Sequence, residues 1–275
     1  MKYKYSVLVF ILLAGTSAWA ANTEVIGRTV EGREIAAVRF GSGSESVVLY
    51  GGIHGGYEWN TVALTEQLIE FFTANPKEVP EGVRVYIIPC VNIDGLARVT
   101  EQGVLQDTKP LESSDLLAGD RSRARFNARG VDLNRNWDAN WQPTSQWRNQ
   151  EANAGSRPFS EPETRALRDF VLRLRPQVVV SYHSQADGIY YSGKRDRWEP
   201  ARKLAELYSA ASGYPIPQGR GLVGYRITGA SGGYFYRQGI PEITIELAGR
   251  SSPEFDRNLA GVRALMEAIG DTPAE

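Results

Sequence analysis

Two apolar, β-prone runs with a helical stretch between them constrain this fold more than any other feature of the chain. Residues 47–50 (Val-Val-Leu-Tyr) read as a buried strand. In residues 60–72 the apolar side chains Val62, Leu64, Leu68, Ile69, Phe71 and Phe72 recur at helical spacing, and Asn75-Pro76 ends the helix. Residues 83–89 form the next strand. A strand, a helix and a strand joined by a crossover of this length make a βαβ unit, which commits the chain to a largely parallel sheet covered by helices.

The remaining elements extend that pattern. Residues 25–38 read as a hairpin around Glu31-Gly32-Arg33. Ser160-Glu161-Pro162-Glu163 reads as a capping box that opens a helix to about Leu174. A strand at 178–182, an amphipathic helix at 200–211, a strand at 243–247 and a closing helix at 253–269 follow. Residues 213–234 are Gly-rich and read as loop. From Val91 the chain is irregular for a long stretch, with a weak helical signal at 115–117; loops of this length in a compact domain usually serve a function. No repeat or linker divides residues 21–275, which read as one domain.

Residues 1–20 are of another kind: Lys2 and Lys4, a short apolar core, then Ala18-Trp19-Ala20. That is a secretory signal peptide, too short to span a bilayer, so the mature protein is expected to be exported, periplasmic or secreted, without stable membrane insertion. Cys90 is the only cysteine, so no intrachain disulfide can form and the core must stabilise the domain. The formal net charge of −1 points to neither nucleic acid nor an anionic membrane as partner.

The chain has two histidines, His54 and His183, and each follows a strand-like run. His54 sits in Gly51-Gly52-Ile53-His54-Gly55-Gly56-Tyr57-Glu58-Trp59. A short His/Glu spacing with a distant second histidine is the ligand pattern of a catalytic zinc. The plain alternative makes His54 a turn cap and Glu58 a solvated carboxylate. His54, Glu58, His183 and Glu246 all fall at carboxyl ends of strands, which share one edge of a parallel sheet and can converge on one cleft. Two histidines and a carboxylate holding a metal would lower the pKa of water, and Glu246 is then the candidate base; its alternative is a structural ion pair with an arginine. Asp132 is placed to accept the other ring N–H of His54. Arg125 or Arg123 could meet a developing oxyanion, and Asn134-Arg135 offers donors and a bidentate fork for a carboxylate. Trp137, Trp141 and Trp147 could wall the cleft or simply pack.

Together these residues resemble the zinc carboxypeptidases of the M14 (carboxypeptidase A) family over roughly residues 25–270. His54, Glu58 and His183 match the zinc ligands, Gly130 to Trp137 match the family's Gly-Val-Asp-x-Asn-Arg-Asn-Trp segment, and Thr244-Ile245-Glu246-Leu247 matches the segment with the general base. The resemblance implies a single three-layer α/β/α domain around a mixed, mostly parallel eight-stranded sheet. It also implies one Zn2+ per chain, Asn134 and Arg135 on the substrate's free carboxylate, Arg125 on the oxyanion and Asp132 behind His54. Three departures stand out. Three residues, not two, separate His54 from Glu58, which is read as a one-residue bulge. The family's mobile active-site tyrosine falls at Thr228, with Tyr225 close enough to serve in its place. The stretch between Gly233 and Glu246 is shorter than in digestive carboxypeptidases. The short chain without disulfides or pro-segment resembles the bacterial murein-peptide branch, which cuts γ-D-glutamate from diaminopimelate. The expectation is therefore a monomeric zinc carboxypeptidase acting on a peptide with a free C-terminal carboxylate, derived from murein as in that branch. The alternatives are a general metallocarboxypeptidase and a catalytically silent peptide-binding module on the same fold.

Overall fold

A computed structural model describes residues 22–100, 110–118, 121–148, 150–193, 199–217 and 225–271, so the expected signal peptide lies outside the described residues. Strands β1 (Thr23–Arg28) and β2 (Glu34–Phe40) form the expected antiparallel hairpin. β3 (Glu45–Tyr50), α1 (Trp59–Ala74) and β4 (Val83–Ile88) form the βαβ unit, with β3 and β4 parallel. A single helical turn, α2 (Ile93–Leu96), precedes a small two-stranded sheet of β5 (Thr144–Trp147) and β6 (Gln150–Asn153). Then come α3 (Pro162–Leu174), β7 (Val178–Ser184), β8 (Gly188–Tyr191), α4 (Glu199–Ser212), α5 (Ser231–Arg237), β9 (Glu242–Leu247) and α6 (Phe255–Gly270).

The main sheet runs β1-β2-β4-β3-β7-β9-β8. Its four central strands, β4, β3, β7 and β9, are parallel, and β1, β2 and β8 extend it by antiparallel pairing. The mixed α/β architecture is the expected one, but the described residues supply seven strands to this sheet rather than eight. The extra hairpin, β5–β6, pairs only with itself.

Side-chain alternation along each strand divides the interior into two layers. Val47, Leu49, Val180, Ile243 and Ile245 pack with Leu64 and Leu68 of α1, Tyr208 of α4 and Leu265 of α6. Val48, Tyr50, Ile88 and Val179 pack on the other face with Leu167 and Phe170 of α3 and Phe235 of α5. Cys90 is buried and free on that second face. Glu242, Thr244 and Glu246 alternate with Ile243, Ile245 and Leu247, so they line the second face too.

Two local expectations need correction. The capping box does not form: α3 starts at Pro162 with Glu161 at the N-cap and no side-chain cap bond. Ser160 Oγ donates to Glu161 Oε1 instead, and the Glu163 carboxylate accepts from Val30 N. Proline at the first helical position favours the helix start by its fixed φ, without a side-chain cap. The Gly-rich stretch is also not all loop, because α5 forms within it under a cluster of Trp137, Phe159, Tyr234 and Phe235 rings. The weak helical signal at 115–117 corresponds to a 3₁₀ turn at Ser113–Asp115. Among the described residues no helix is long and apolar enough to cross a membrane.

Candidate active site

The loop after β3 must fold back sharply to return His54 and Glu58 to the sheet edge. Gly55 makes this possible at φ +50°, where a Cβ would lie 2.7 Å from the Ala124 carbonyl oxygen. The extra residue between His54 and Glu58 is taken up by a 3₁₀ turn, Gly55–Glu58, which sets the Glu58 carboxylate against His54. His54 Nδ1 lies 2.9 Å from Glu58 Oε1. His183, near the end of β7, places its Nδ1 3.2 Å from Glu58 Oε2 and 3.2 Å from His54 Nδ1. All three side chains are buried.

This donor set fits a zinc ion. Donors on a tetrahedron with arms of about 2.0–2.2 Å stand about 3.3–3.6 Å apart along its edges. The three separations above come close to that. Two imidazole nitrogens facing each other need a proton or a cation between them. Ser184 N–H, donating to Glu58 Oε2 at 3.2 Å, fixes the carboxylate further. Burial raises the Glu58 pKa, yet His54 and His183 outweigh it and hold the carboxyl well below the usual range.

Asp132, fully buried, ties the next layer together. Its Oδ1 faces His54 Nε2 at 3.4 Å and accepts from the Asn134 backbone N–H at 3.0 Å. Its Oδ2 accepts from Arg125 Nε at 2.9 Å. Against the cost of burial, Arg125, Arg135 and His54 hold Asp132 ionised, well below its ordinary pKa. Arg125 reaches toward Glu58 Oε1 at 3.5 Å and lies over the Trp147 ring, 4.8 Å from its centre. Arg123 is exposed. Of the two arginines the sequence left open, only Arg125 faces the metal ligands.

Asn134 and Arg135 occupy a 3₁₀ turn, Leu133–Arg135, begun by Asp132. Asn134 Nδ2 lies 3.4 Å from His183 Nε2, and its Oδ1 accepts from Ser231 N at 3.1 Å. Arg135 is buried; its Nε donates to the Gln146 carbonyl at 3.1 Å, and its side chain hydrogen-bonds Tyr225. Thr228 is instead buried and bonded to Ser145 at 2.8 Å. Between the two candidates for the tyrosine position, Tyr225 is therefore the one beside Arg135. Glu246 pairs in register with His183 across β7 and β9. Burial pushes its carboxyl up to about 7, opposed by the charge of His183 and reinforced by that of Glu58.

Sequence reasoning missed several contributors. Asn92 Nδ2 donates to the Arg125 carbonyl at 3.1 Å, and Asn60 accepts from Ser184 Oγ at 3.1 Å. Trp147 supports Arg125, while Trp137 is core and Trp141 donates to the Ala154 carbonyl, so packing decides two of the three tryptophans. An Asn placed directly before Ile93-Asp94-Gly95 is a helix-cap signal that could have flagged Asn92.

Comparison with known proteins points to one family. A family model described as zinc carboxypeptidase matches residues 13–258. A zinc carboxypeptidase of Simulium vittatum is 33% identical over 169 residues, covering 58% of this chain and 52% of that protein. Murein peptide amidase A of Escherichia coli (strain K12) is 29% identical over 181 residues, covering 62% of each. The crystal structure of a murein-tripeptide amidase from Escherichia coli O157 superposes with a TM-score of 0.61 at 24% identity, over 92% of this chain and 94% of that one. The matched part spans about half the length of the first of these relatives.

Proposed function

The chain belongs to the zinc carboxypeptidase family, and on that footing we propose that it is a zinc-dependent carboxypeptidase hydrolysing the amide bond before a residue with a free carboxylate, in cell-wall peptides of the γ-D-glutamyl–diaminopimelate type. The observation that carries this reading is the convergence of His54 Nδ1, His183 Nδ1 and the Glu58 carboxylate at tetrahedral spacing, with Glu246 beside them on the adjacent strand. The likeness to murein peptide amidase A supports the choice of substrate. The expected signal peptide would send residues 21–275 out of the cytoplasm as a soluble monomer with one zinc ion.

Zinc held by His54, Glu58 and His183 would supply Lewis-acid polarisation of the amide carbonyl and a lowered pKa for water. The chain's own groups do the rest. Arg135, with Asn134 and Tyr225, binds the terminal carboxylate and so sets the scissile amide at the carboxyl edge of β7 and β9. Glu246 takes a proton from the attacking water and delivers it to the leaving amine. Arg125, already oriented by Asp132 and Trp147, donates to the oxygen on which negative charge develops. The Asp132 carboxylate, 3.4 Å from His54 Nε2, favours the tautomer with the proton on Nε2 and thereby keeps Nδ1 free as a donor atom.

The test is mass spectrometry of the products. Zinc-loaded protein would be given murein tripeptide and a panel of ordinary peptides, with and without chelator. Chelator-sensitive release of diaminopimelate is the expected result. Release of ordinary C-terminal residues only would replace the murein reading by a general carboxypeptidase. No product with zinc bound would favour a silent peptide-binding module.

A further inference from the structure

One buried carboxylate has no part in the chemistry above. Glu242 opens β9 on the same face as Thr244 and Glu246, and its side chain is shut away from solvent, with the residue 3% exposed. Its Oε1 accepts from Ser231 Oγ at 2.9 Å, while its Oε2 has no hydrogen-bond partner among the described residues. No arginine or lysine among those residues compensates it. Burial alone pushes its carboxyl up to about 8, eased only by Ser231. A buried carboxylate without a partner is costly, and an apolar residue in a strand flanked by Ile243 and Ile245 would avoid that cost.

Across the register, Val179, Ser181 and His183 of β7 stand beside Glu242, Thr244 and Glu246. The strip from the metal ligands down this face is therefore polar: Ser181 and Thr244, then Glu242, with the Tyr50 hydroxyl donating to Ser231 Oγ at 2.9 Å. Ser231 joins Glu242 to the carboxylate site, because its own N–H donates to Asn134 Oδ1. Gly232 of α5 packs close to Glu242. A Cβ on Gly232 would stand 2.6 Å from Ser192 Oγ and 3.4 Å from Glu242 Oε1. Because Ser231 N donates to Asn134 Oδ1, the strip begins beside the group proposed to hold the substrate's carboxylate and leads from there to Glu242.

We propose that Glu242 is the specificity-determining floor of the pocket for the released residue, and that it selects a side chain carrying a primary ammonium on the ε carbon of a straight aliphatic stem, as lysine and diaminopimelate both do. The inference rests on the carboxypeptidase reading and adds the chemistry of the leaving residue's far end. An ammonium at Glu242 Oε2 satisfies the free oxygen and converts an uncompensated carboxyl into an ion pair with a hydroxyl at its other oxygen. A methyl in the same place leaves both costs standing.

The experiment compares N-acyl-γ-D-glutamyl-lysine with the norleucine counterpart, which differs only in the terminal amine, on zinc-loaded wild type and Glu242→Gln. Wild type is expected to favour lysine at least tenfold in kcat/KM, and Glu242→Gln to bring the ratio near one. A wild type that treats the two substrates alike overturns the proposal without any variant, and so does a folded Glu242→Gln that keeps the preference. If zinc-loaded wild type cleaves neither, the peptidase reading fails on its own account. Equilibrium binding of free lysine against free norleucine to the zinc-loaded protein then judges the pocket: a lysine preference lost in Glu242→Gln upholds it, and equal binding overturns it.

Discussion

Glu66 offers a sharp test of how this interior handles charge. It lies on α1, 1% exposed, and its Oε2 accepts from the Leu111 N–H at 2.6 Å. Burial raises its carboxyl from 4.5 to about 8; Leu111 opposes this and Asp115 adds to it. Because the folded pKa is raised, Glu66 costs nothing below the unfolded pKa. Between pH 4.5 and 8 the unfolded chain sheds the proton that the native state keeps, and stability falls by up to about 1.4 kcal/mol per pH unit. Worked through, the penalty on the native state is under about 1 kcal/mol at pH 5 and about 3 kcal/mol at pH 7. Glu66→Gln keeps an acceptor for Leu111 and does not titrate. Any fixed cost of its amide cancels when the variant-minus-wild-type gap is compared between pH values. Urea unfolding of metal-free protein should show that gap moving in favour of Gln by about 2–3 kcal/mol from pH 5 to 7, on the order of 5–10 °C in Tm for a chain of this size. A gap that stays constant within about 0.5 kcal/mol across this range would mean that Glu66 is ionised in the native state, and the reasoning would be wrong.

Other consequences can be checked directly. Glu246→Gln should retain its zinc by metal analysis while kcat drops about 10²- to 10⁴-fold; retention of most turnover removes it as the base. Glu58→Gln should lose most of its zinc on dialysis, and unchanged metal content would strike Glu58 from the ligand set. Since Glu246 must be deprotonated to act and its metal-free carboxyl is pushed up to about 7, kcat/KM should fall as pH drops through a midpoint below 7, the cation having lowered it. A pH profile of zinc-loaded protein with the acid midpoint above 7 contradicts that assignment.

The parts legible in the sequence were those written locally. His54, His183 and Glu246 each close or follow an apolar strand, so strand recognition alone placed them on one edge. The sheet's parallel centre followed from the crossover around α1. What escaped was written in tertiary contacts. Thr144-Ser145-Gln146-Trp147 and Gln150-Glu151-Ala152-Asn153 carry too little apolar alternation to announce β5 and β6, yet the Gln146 carbonyl holds Arg135. α5 contains two adjacent glycines, a poor helical sequence, and is held by Phe235 against Trp137. The arginine choice was undecidable from spacing because Arg123 and Arg125 differ only in which of them turns inward to Asp132.

The pairing of His183 with Glu246 across β7 and β9 makes catalysis a gauge of strand alignment. If β9 slid by one residue, its side chains would exchange faces, and Ile245 or Leu247 would stand at the metal in place of Glu246. Such a chain would keep its helices, most of its sheet and its spectroscopic appearance, and would be inert. Titrating working sites against total protein after refolding therefore counts the molecules whose strands have meshed in the right notch, a quantity that circular dichroism passes over.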